Sequence, residues 1–427
     1  MSLHQQRVCH RGGHDGLAEL GRSLFAALEE TAPPIPVLNR TGDAEGLVFW
    51  KATGDTSRPD FVPMTPSELA AMQRAHDTYR EKAQKLRLPY RTGSQGIVTT
   101  AGGAYLPVFI VSLRMLRRTG CTLPVELFLV SEEEREPYLL LGDFLGAKTE
   151  KITKFQLKIF STVFSSFEDL PRPEPQDAFT REPFASTGLI TWQDFWASSA
   201  SKNFYAIQGT PTPPMNAYAS SESGQILASK RTHGTALLMT AYYNFYGPEY
   251  YYQLLSQGGF GQGDKETFIA GAQAVSAPFY QVKKCVDTIG YYEAGRYHGV
   301  AMLQYDPAHD TTGAGAGAGD AATTKKPTPF AVHHNYPKLD PVLLFGDDPV
   351  TGAAVGRAGG GYHRLLGDKE TTEQRFGRDV EREMWDEIAY VACELGDGFR
   401  DWRALPATSE RKGTCELVHE YRTAVFS

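Results

Sequence analysis

The sequence predicts an α/β domain with a parallel sheet and covering helices, on three observations. A β-branched strand, a helix and a second apolar strand follow one another between Gly96 and Val130. Helix-period segments recur on both sides of that unit. The chain is 427 residues long, 41% hydrophobic and 22% charged, which is ordinary for a soluble globular protein with a large core.

The elements follow in order. Residues 1–60 are mixed and Gly/Pro-punctuated, with a helical piece at Gly16–Glu30, and read as a poorly specified lead-in. Thr65–Lys85 opens with Thr65 and Glu68 in capping-box spacing, then shows helical periodicity. Gly96–Ala101 is a strand broken by Gly102 and Gly103; Tyr105–Arg118 is a helix stopped by Gly120; Val125–Val130 is a buried strand. Helices are expected at Phe155–Phe164, Ala236–Tyr246, Lys265–Ala274 and Arg378–Cys393, and strands at Gly299–Tyr305 and Phe330–Tyr336. Thr311–Lys326 is a Gly/Ala-rich low-complexity run, expected as a flexible surface loop. No internal repeat is evident, and no linker cuts the chain after residue 96.

The bulk chemistry excludes several classes. Forty-three basic against fifty acidic side chains give a net charge of −7, so no nucleic-acid partner is expected. Five cysteines (Cys9, Cys121, Cys285, Cys393 and Cys415) form no C-x-x-C pair, and one or two disulfides fit if the chain enters the secretory pathway. No run of roughly 18 apolar residues and no signal-peptide core is present, which taken literally reads as soluble and intracellular. Asn39-Arg40-Thr41 is a glycosylation sequon, weak alone. The aromatic run Tyr242–Tyr252 suits either a sugar-handling cleft or a plain core. Gly258–Gly263 lacks the Lys-Ser/Thr of a phosphate loop, Gly313–Gly319 lacks a preceding strand, and neither H-E-x-x-H nor G-x-S-x-G occurs.

A chain of segments in fixed order then carries a resemblance. Gly96–Val130 (GIVTTAGGAYLPVFIVSLRMLRRTGCTLPVELFLV), Phe155–Leu170 (FQLKIFSTVFSSFEDL) and Glu182–Trp196 (EPFASTGLITWQDFW) come first. Glu222–Phe268 (beginning ESGQILASKRTHGT) is the most specific, followed by Ala301–Pro307 and His333–Pro341. Together they resemble the fungal Golgi α-mannosyltransferases of glycosyltransferase family seventy-one. The resemblance implies a GT-A-like fold, the nucleotide-diphospho-sugar transferase type: a mixed sheet flanked by helices in a single large catalytic domain. Residues 91–427 would form that domain and 1–90 a stem-like lead-in. It implies a retaining α-1,2-mannosyltransferase moving mannose from GDP-mannose to mannose residues of glycoprotein glycans of the cell-wall mannan type, with Mn²⁺ as cofactor. Type II anchoring in the Golgi membrane and a place in a Golgi mannosyltransferase complex are also implied. A non-catalytic relative acting as a glycan-binding or complex subunit is the alternative, and a cytosolic transferase using another nucleotide sugar a third reading.

Site residues follow from chemistry and resemblance together. Thr99, Thr100, Ala101, Gly102 and Gly103 end the first strand at the edge where open α/β sheets bind ligands, and are expected to meet the nucleotide sugar or simply make a tight turn. Lys158, Trp192, Asp194 and Lys338 join that donor-binding set; packing or a solvated surface is the plain reading of each. Asp264 and Glu266 are candidate catalytic carboxylates, against a role in capping the helix that follows. Asp306 is a further candidate acid, against Asp-Pro turn chemistry. Of His333 and His334, which should face opposite sides of a strand, His333 is the expected metal ligand.

One departure stands out. The family carries a buried strand ending in Asp-x-Asp between the SSFE-type helix and the EPF segment. Here Ser165–Phe179 reads SSFEDLPRPEPQDAF, so that strand is expected to be missing, a gap of order ten residues. Asp169, Glu174 and Asp177 are the acids left in the stretch.

Overall fold

The computed structural model describes residues 14–51, 57–103, 105–129, 139–140, 152–170, 181–310, 327–345, 361–396 and 412–427, with 355, 398, 402, 404 and 406–409. The low-complexity run 311–326 and the acids Glu174 and Asp177 lie outside them.

Helix α1 (His14–Glu30) and helix α2 (Pro66–Ala83) precede the sheet. The predicted capping box forms: the Thr65 side chain accepts from the Glu68 backbone N–H, and Glu68 accepts from the Thr65 backbone at 2.8 Å. Strand β1 (Arg91–Gln95) runs through Gly96 into β2 (Ile97–Thr100), followed by α3 (Tyr105–Arg118), β3 (Val125–Leu129) and the short β4 (Leu139–Leu140). Strands β2, β3 and β4 pair in parallel, as the strand–helix–strand pattern requires.

Helix α4 (Leu157–Phe164) is followed directly by β5 (Phe167–Leu170). This corrects an expectation: Ser165–Phe179, read as lacking a strand, opens with a four-residue one, because Phe167 and Leu170 bury. It lies between β1, to which it is parallel, and β7 (Ala219–Ser229), to which it is antiparallel. Strand β6 (Leu189–Ala197) pairs antiparallel with β7 on its other side, and the two-residue β8 (Tyr280–Gln281) closes that edge in parallel with β6. The five-stranded order is β1-β5-β7-β6-β8. At Gly96 the chain changes partners, donating from Gly96 to Asp169 and from Ile97 to Pro124. A Cβ at Gly96 would fall 2.2 Å from the Phe167 ring, so only glycine lets the two strands cross here. The result is a mixed α/β fold.

Helices α5 (Lys202–Gln208), α6 (Lys230–Phe245) and α7 (Thr267–Ala274) cover the sheet with α1, α2 and α4. The aromatic run proves to be core: Tyr242, Tyr243 and Tyr251 are fully buried, and Tyr79 stacks on Tyr242 at 4.4 Å. Three tyrosine hydroxyls from this run tie down the lead-in: Tyr242 donates to Thr31, Tyr246 to Leu28 and Tyr250 to Ile35, at 2.7–3.0 Å. The lead-in therefore shares the domain's core instead of having its own.

A second layer contains the antiparallel sheet β9 (Asp287–Glu293), β10 (Arg296–Tyr305) and β11 (Pro329–His334), in the order β11-β10-β9. It packs with α3 and with helices α8 (Lys369–Phe376), α9 (Val380–Glu394) and α10 (Thr414–Phe426) around buried Trp385 and Tyr421. Cys393 and Cys415 form a disulfide between α9 and α10. No helix among the described residues is long and apolar enough to cross a membrane.

Candidate functional site

The site grows from an irregularity in β7. Ile190 pairs with Leu227 and Trp192 with Glu222, so β7 spends three more residues than β6 over the same length. That bulge carries Glu222, Ser223 and Gly224. Glu222 bends back to accept from the Gly224 backbone N–H at 2.8 Å, accepts from Gln304 at 3.1 Å and lies 3.0 Å from His333 Nδ1. A Cβ at Gly224 would sit 2.8 Å from His333, so glycine is what lets the imidazole approach. Burial alone would raise the Glu222 carboxyl. His333, Lys158 and the Gly224 N–H outweigh it and hold the group ionised, well below the usual carboxylate range.

Helix α4 brings Lys158 to the same place. Its ammonium is 2.8 Å from Asp264 Oδ2 and donates to Ser223 Oγ at 2.8 Å, while Ser223 donates to Asp264 Oδ1 at 3.0 Å. Lys338, past β11, faces Glu222; burial lowers its ammonium and the carboxylate partly restores it. Strands β7 and β11, helix α4 and the turn before α7 thus bring together Glu222, Ser223, His333, Lys158 and Asp264.

Asp264 and Glu266 do not cap α7, which begins at Thr267, two residues later than its predicted start. Glu266 instead accepts from the Ser220 hydroxyl and the Ser221 backbone N–H. Burial raises its carboxyl despite Lys265 and these donors. Lys265, which is buried, pairs at 2.8 Å with Asp194, whose side chain is 13% exposed.

The remaining sequence-named residues make contacts of their own. Trp192 is core: it is buried, stacks on Phe330 at 5.1 Å and donates to the Tyr305 carbonyl at 2.8 Å, which pins the second layer to the main sheet. The Asp306 carboxylate accepts from Ala308 at 2.9 Å as the cap of a short turn and lies 3.4 Å from His309. Thr99 and Thr100 end β2, and Ala101 donates to the Phe128 carbonyl at 3.3 Å. Gly102 and Gly103 turn the chain into α3 and accept from Tyr105 and Leu106. His334 lies on the face of β11 opposite His333, and burial pushes its imidazole down to about 4.

A family model described as "Mannosyltransferase putative" (Mannosyl_trans3) matches residues 94–219 and 215–306. The chain belongs to this family. Among its relatives are three alpha-1,2-mannosyltransferases. MNN21 of Candida albicans is 28% identical over 420 residues, covering 78% of this chain and 63% of that protein. MNN24 of the same fungus is 30% identical over 340 residues, covering 65% and 47%. MNN2 of Saccharomyces cerevisiae is 31% identical over 309 residues, covering 58% and 52%. The chain thus spans 47–63% of the length of these relatives.

The family match takes in Lys158, Glu222, Asp264 and Gln304, whereas His333 and Lys338 lie beyond it. Sequence reasoning missed Glu222, Ser223, Gln304 and the cation Lys265. The available signal was Glu-Ser-Gly at the start of the most specific segment, one residue before the apolar Ile226-Leu227-Ala228.

The donor set does not complete a Mn²⁺ site among the described residues. Glu222 and His333 offer two donors, and the nearby Asp264 is engaged by Lys158 and Ser223. Three acidic, His or Cys ligand atoms come within mutual reach, among the described residues, only at Cys393, Cys415 and His419, where both sulfurs are in the disulfide. Among the described residues β5 reaches Leu170, opposite Ala228. From there to Glu222 is the distance that β6 covers between Leu189 and Trp192, about 10 Å.

Proposed function

We propose that this chain is a GT-A-type retaining α-mannosyltransferase, moving mannose from GDP-mannose onto mannose residues of glycoprotein glycans through an α-1,2 linkage. The observation that carries the reading is the Lys158–Asp264–Ser223 and Glu222–His333 cluster, placed at the β7 bulge within a mannosyltransferase-family chain. The sheet supports the GT-A assignment, with β7 reversed among otherwise parallel β1, β5, β6 and β8.

Lys158, Lys338 and His333 present cationic or N–H groups to a diphosphate, and the leaving group departs with charge that they offset. Asp264 orients the Lys158 ammonium, and Glu222 orients the His333 ring. This reading assigns the carboxylates to offset the positive charge that develops on the mannose ring in a retaining transfer. No step is assigned to Mn²⁺, because the described ligand set is incomplete. The Cys393–Cys415 disulfide supports an oxidising compartment, consistent with a Golgi location, type II anchoring and a mannosyltransferase complex in the secretory pathway.

The second reading, a glycan-binding relative without transfer activity, draws support from the sequence between Leu170 and Glu182, which holds no Asp-x-Asp. Calorimetric titration of GDP with and without Mn²⁺, followed by a mannose-transfer assay, separates the two. GDP binding that Mn²⁺ leaves unchanged, together with transfer, is expected. Binding that requires Mn²⁺ would show that further ligands join His333. Absence of both GDP binding and transfer would leave the second reading standing.

A further inference from the structure

On the other side of the Asp264–Glu266 turn lies a cleft lined by Ser220, Trp196, Phe260, Met215, Lys265 and Glu266. We propose that it is the acceptor subsite, built for a neutral hexopyranose unit of a mannose-terminated glycan. The glycan class rests on the proposed function; the cleft itself stands on its own geometry.

The turn separates two environments within three residues. Asp264 reaches Ser223 and Lys158, while Glu266 reaches Ser220 and Ser221, so the two carboxylates serve different spaces. Glu266 is only 7% exposed. Both of its hydrogen bonds fall on Oε1, which leaves Oε2 as an acceptor for a ligand hydroxyl in the cleft it lines.

The charge balance selects against an anionic ligand. Lys265 is consumed by Asp194 at 2.8 Å and by the Phe260 carbonyl at 2.7 Å. The remaining charged group in the lining other than Glu45 at the rim is Glu266, which repels phosphate and accepts from sugar hydroxyls.

The apolar wall is an aromatic pair of exposed Phe260 and half-buried Trp196. Phe260 is 61% exposed, with its ring 4.8 Å from Trp196 and tilted 32° to it. A Cβ at Gly46 would fall 2.2 Å from the Phe260 ring, so the lead-in passes tightly behind the pair. An exposed aromatic face beside a buried hydroxyl acceptor matches a pyranose, whose C–H face packs on a ring while its rim donates hydrogen bonds.

The test uses the full chain and methyl α-mannopyranoside or an α-linked mannobiose, read by saturation-transfer NMR and calorimetry, with GDP titrated in parallel. Mannoside binding is expected to weaken about tenfold in Phe260→Ala, with GDP affinity unchanged. Glu266→Gln is expected to weaken the mannoside as well, and because Phe260 is exposed its variant folds even if the Glu266 one does not. Mannoside binding that ignores both substitutions, or no mannoside binding at all, overturns the subsite whatever GDP does. Mannoside binding with no GDP binding supports the subsite and overturns the donor reading instead.

Discussion

The two sides of the Asp264–Glu266 turn use the same residue types to opposite ends. On the β7-bulge side, Lys158 is 35% exposed against Asp264 and His333 is 27% exposed against Glu222. On the cleft side, Lys265 and Asp194 are 9% and 13% exposed. A partly hydrated cation can trade some of its pairing for a ligand's charge at little cost, because water and ligand compete on similar terms. A buried pair cannot: each partner is held by the other's field, and removing either leaves a charge without solvent. On the proposed reading the first arrangement is open to a ligand, and the second holds a wall in place for the aromatic pair beside it.

The largest expected effect tests that difference directly. Lys265→Met leaves the largely enclosed Asp194 without its cation and with the Phe195 N–H alone, and should cost about 3–5 kcal/mol in urea unfolding. Lys158→Met removes an ammonium that is 35% exposed and leaves the buried Asp264 with the Ser223 hydroxyl, and should cost less, about 1–3 kcal/mol. Equal losses would break the comparison and make both pairs scaffolding.

How much of this was legible in sequence depended on whether the signal was local. The strand–helix–strand unit was, because apolar runs and glycine breaks are properties of neighbouring residues: the helix bounds Tyr105–Arg118 coincide with those expected. So was the Thr65–Glu68 capping box. Strand β7 was not, since its N-terminal half reads Ala-Ser-Ser-Glu-Ser-Gly-Gln, a loop-like composition that becomes a strand only through pairing with β6. The same holds for β5, where Phe167 and Leu170 find their places between β1 and β7. His333 was singled out by resemblance, but its partner Glu222 depends on how β11 lies over the β7 bulge, and no spacing encodes that. At Asp264 and Glu266 the acidic start of a helix fitted two readings equally, and only the direction of the side chains separated them.

A buried neutral group sharpens the contrast with the paired ones. His76, on α2, is fully buried beside Tyr243, whose hydroxyl is 2.8 Å from Nε2. Burial pushes the imidazole down to about 4, with Asp77 opposing and Arg80 reinforcing. The sign follows: between pH 6.5 and 4 the unfolded chain takes up a proton that the native chain refuses, so stability is complete above 6.5 and falls as pH drops to about 4. The loss from this group is about 3 kcal/mol. Urea midpoints measured across that range should show the slope, and His76→Phe should flatten it even though it sacrifices the Tyr243 contact. An unchanged slope would place the acid sensitivity in the exposed pairs instead.

The smallest effect decides whether the half-exposed side recognises anything. If Lys158 meets a diphosphate, Lys158→Met should weaken GDP about tenfold, roughly 1.4 kcal/mol, by removing one charge-assisted hydrogen bond. The affinity remaining should also lose part of its dependence on ionic strength, because one fewer cation is then screened. Lys265→Met, measured at a temperature where it remains folded, should leave GDP affinity as it was, since that ammonium is already spent on Asp194 and the Phe260 carbonyl. Two lysines of identical chemistry would then differ in opposite directions, one in binding and the other in stability. The cause lies in burial: the ammonium that water still reaches is the one a phosphate can reach as well.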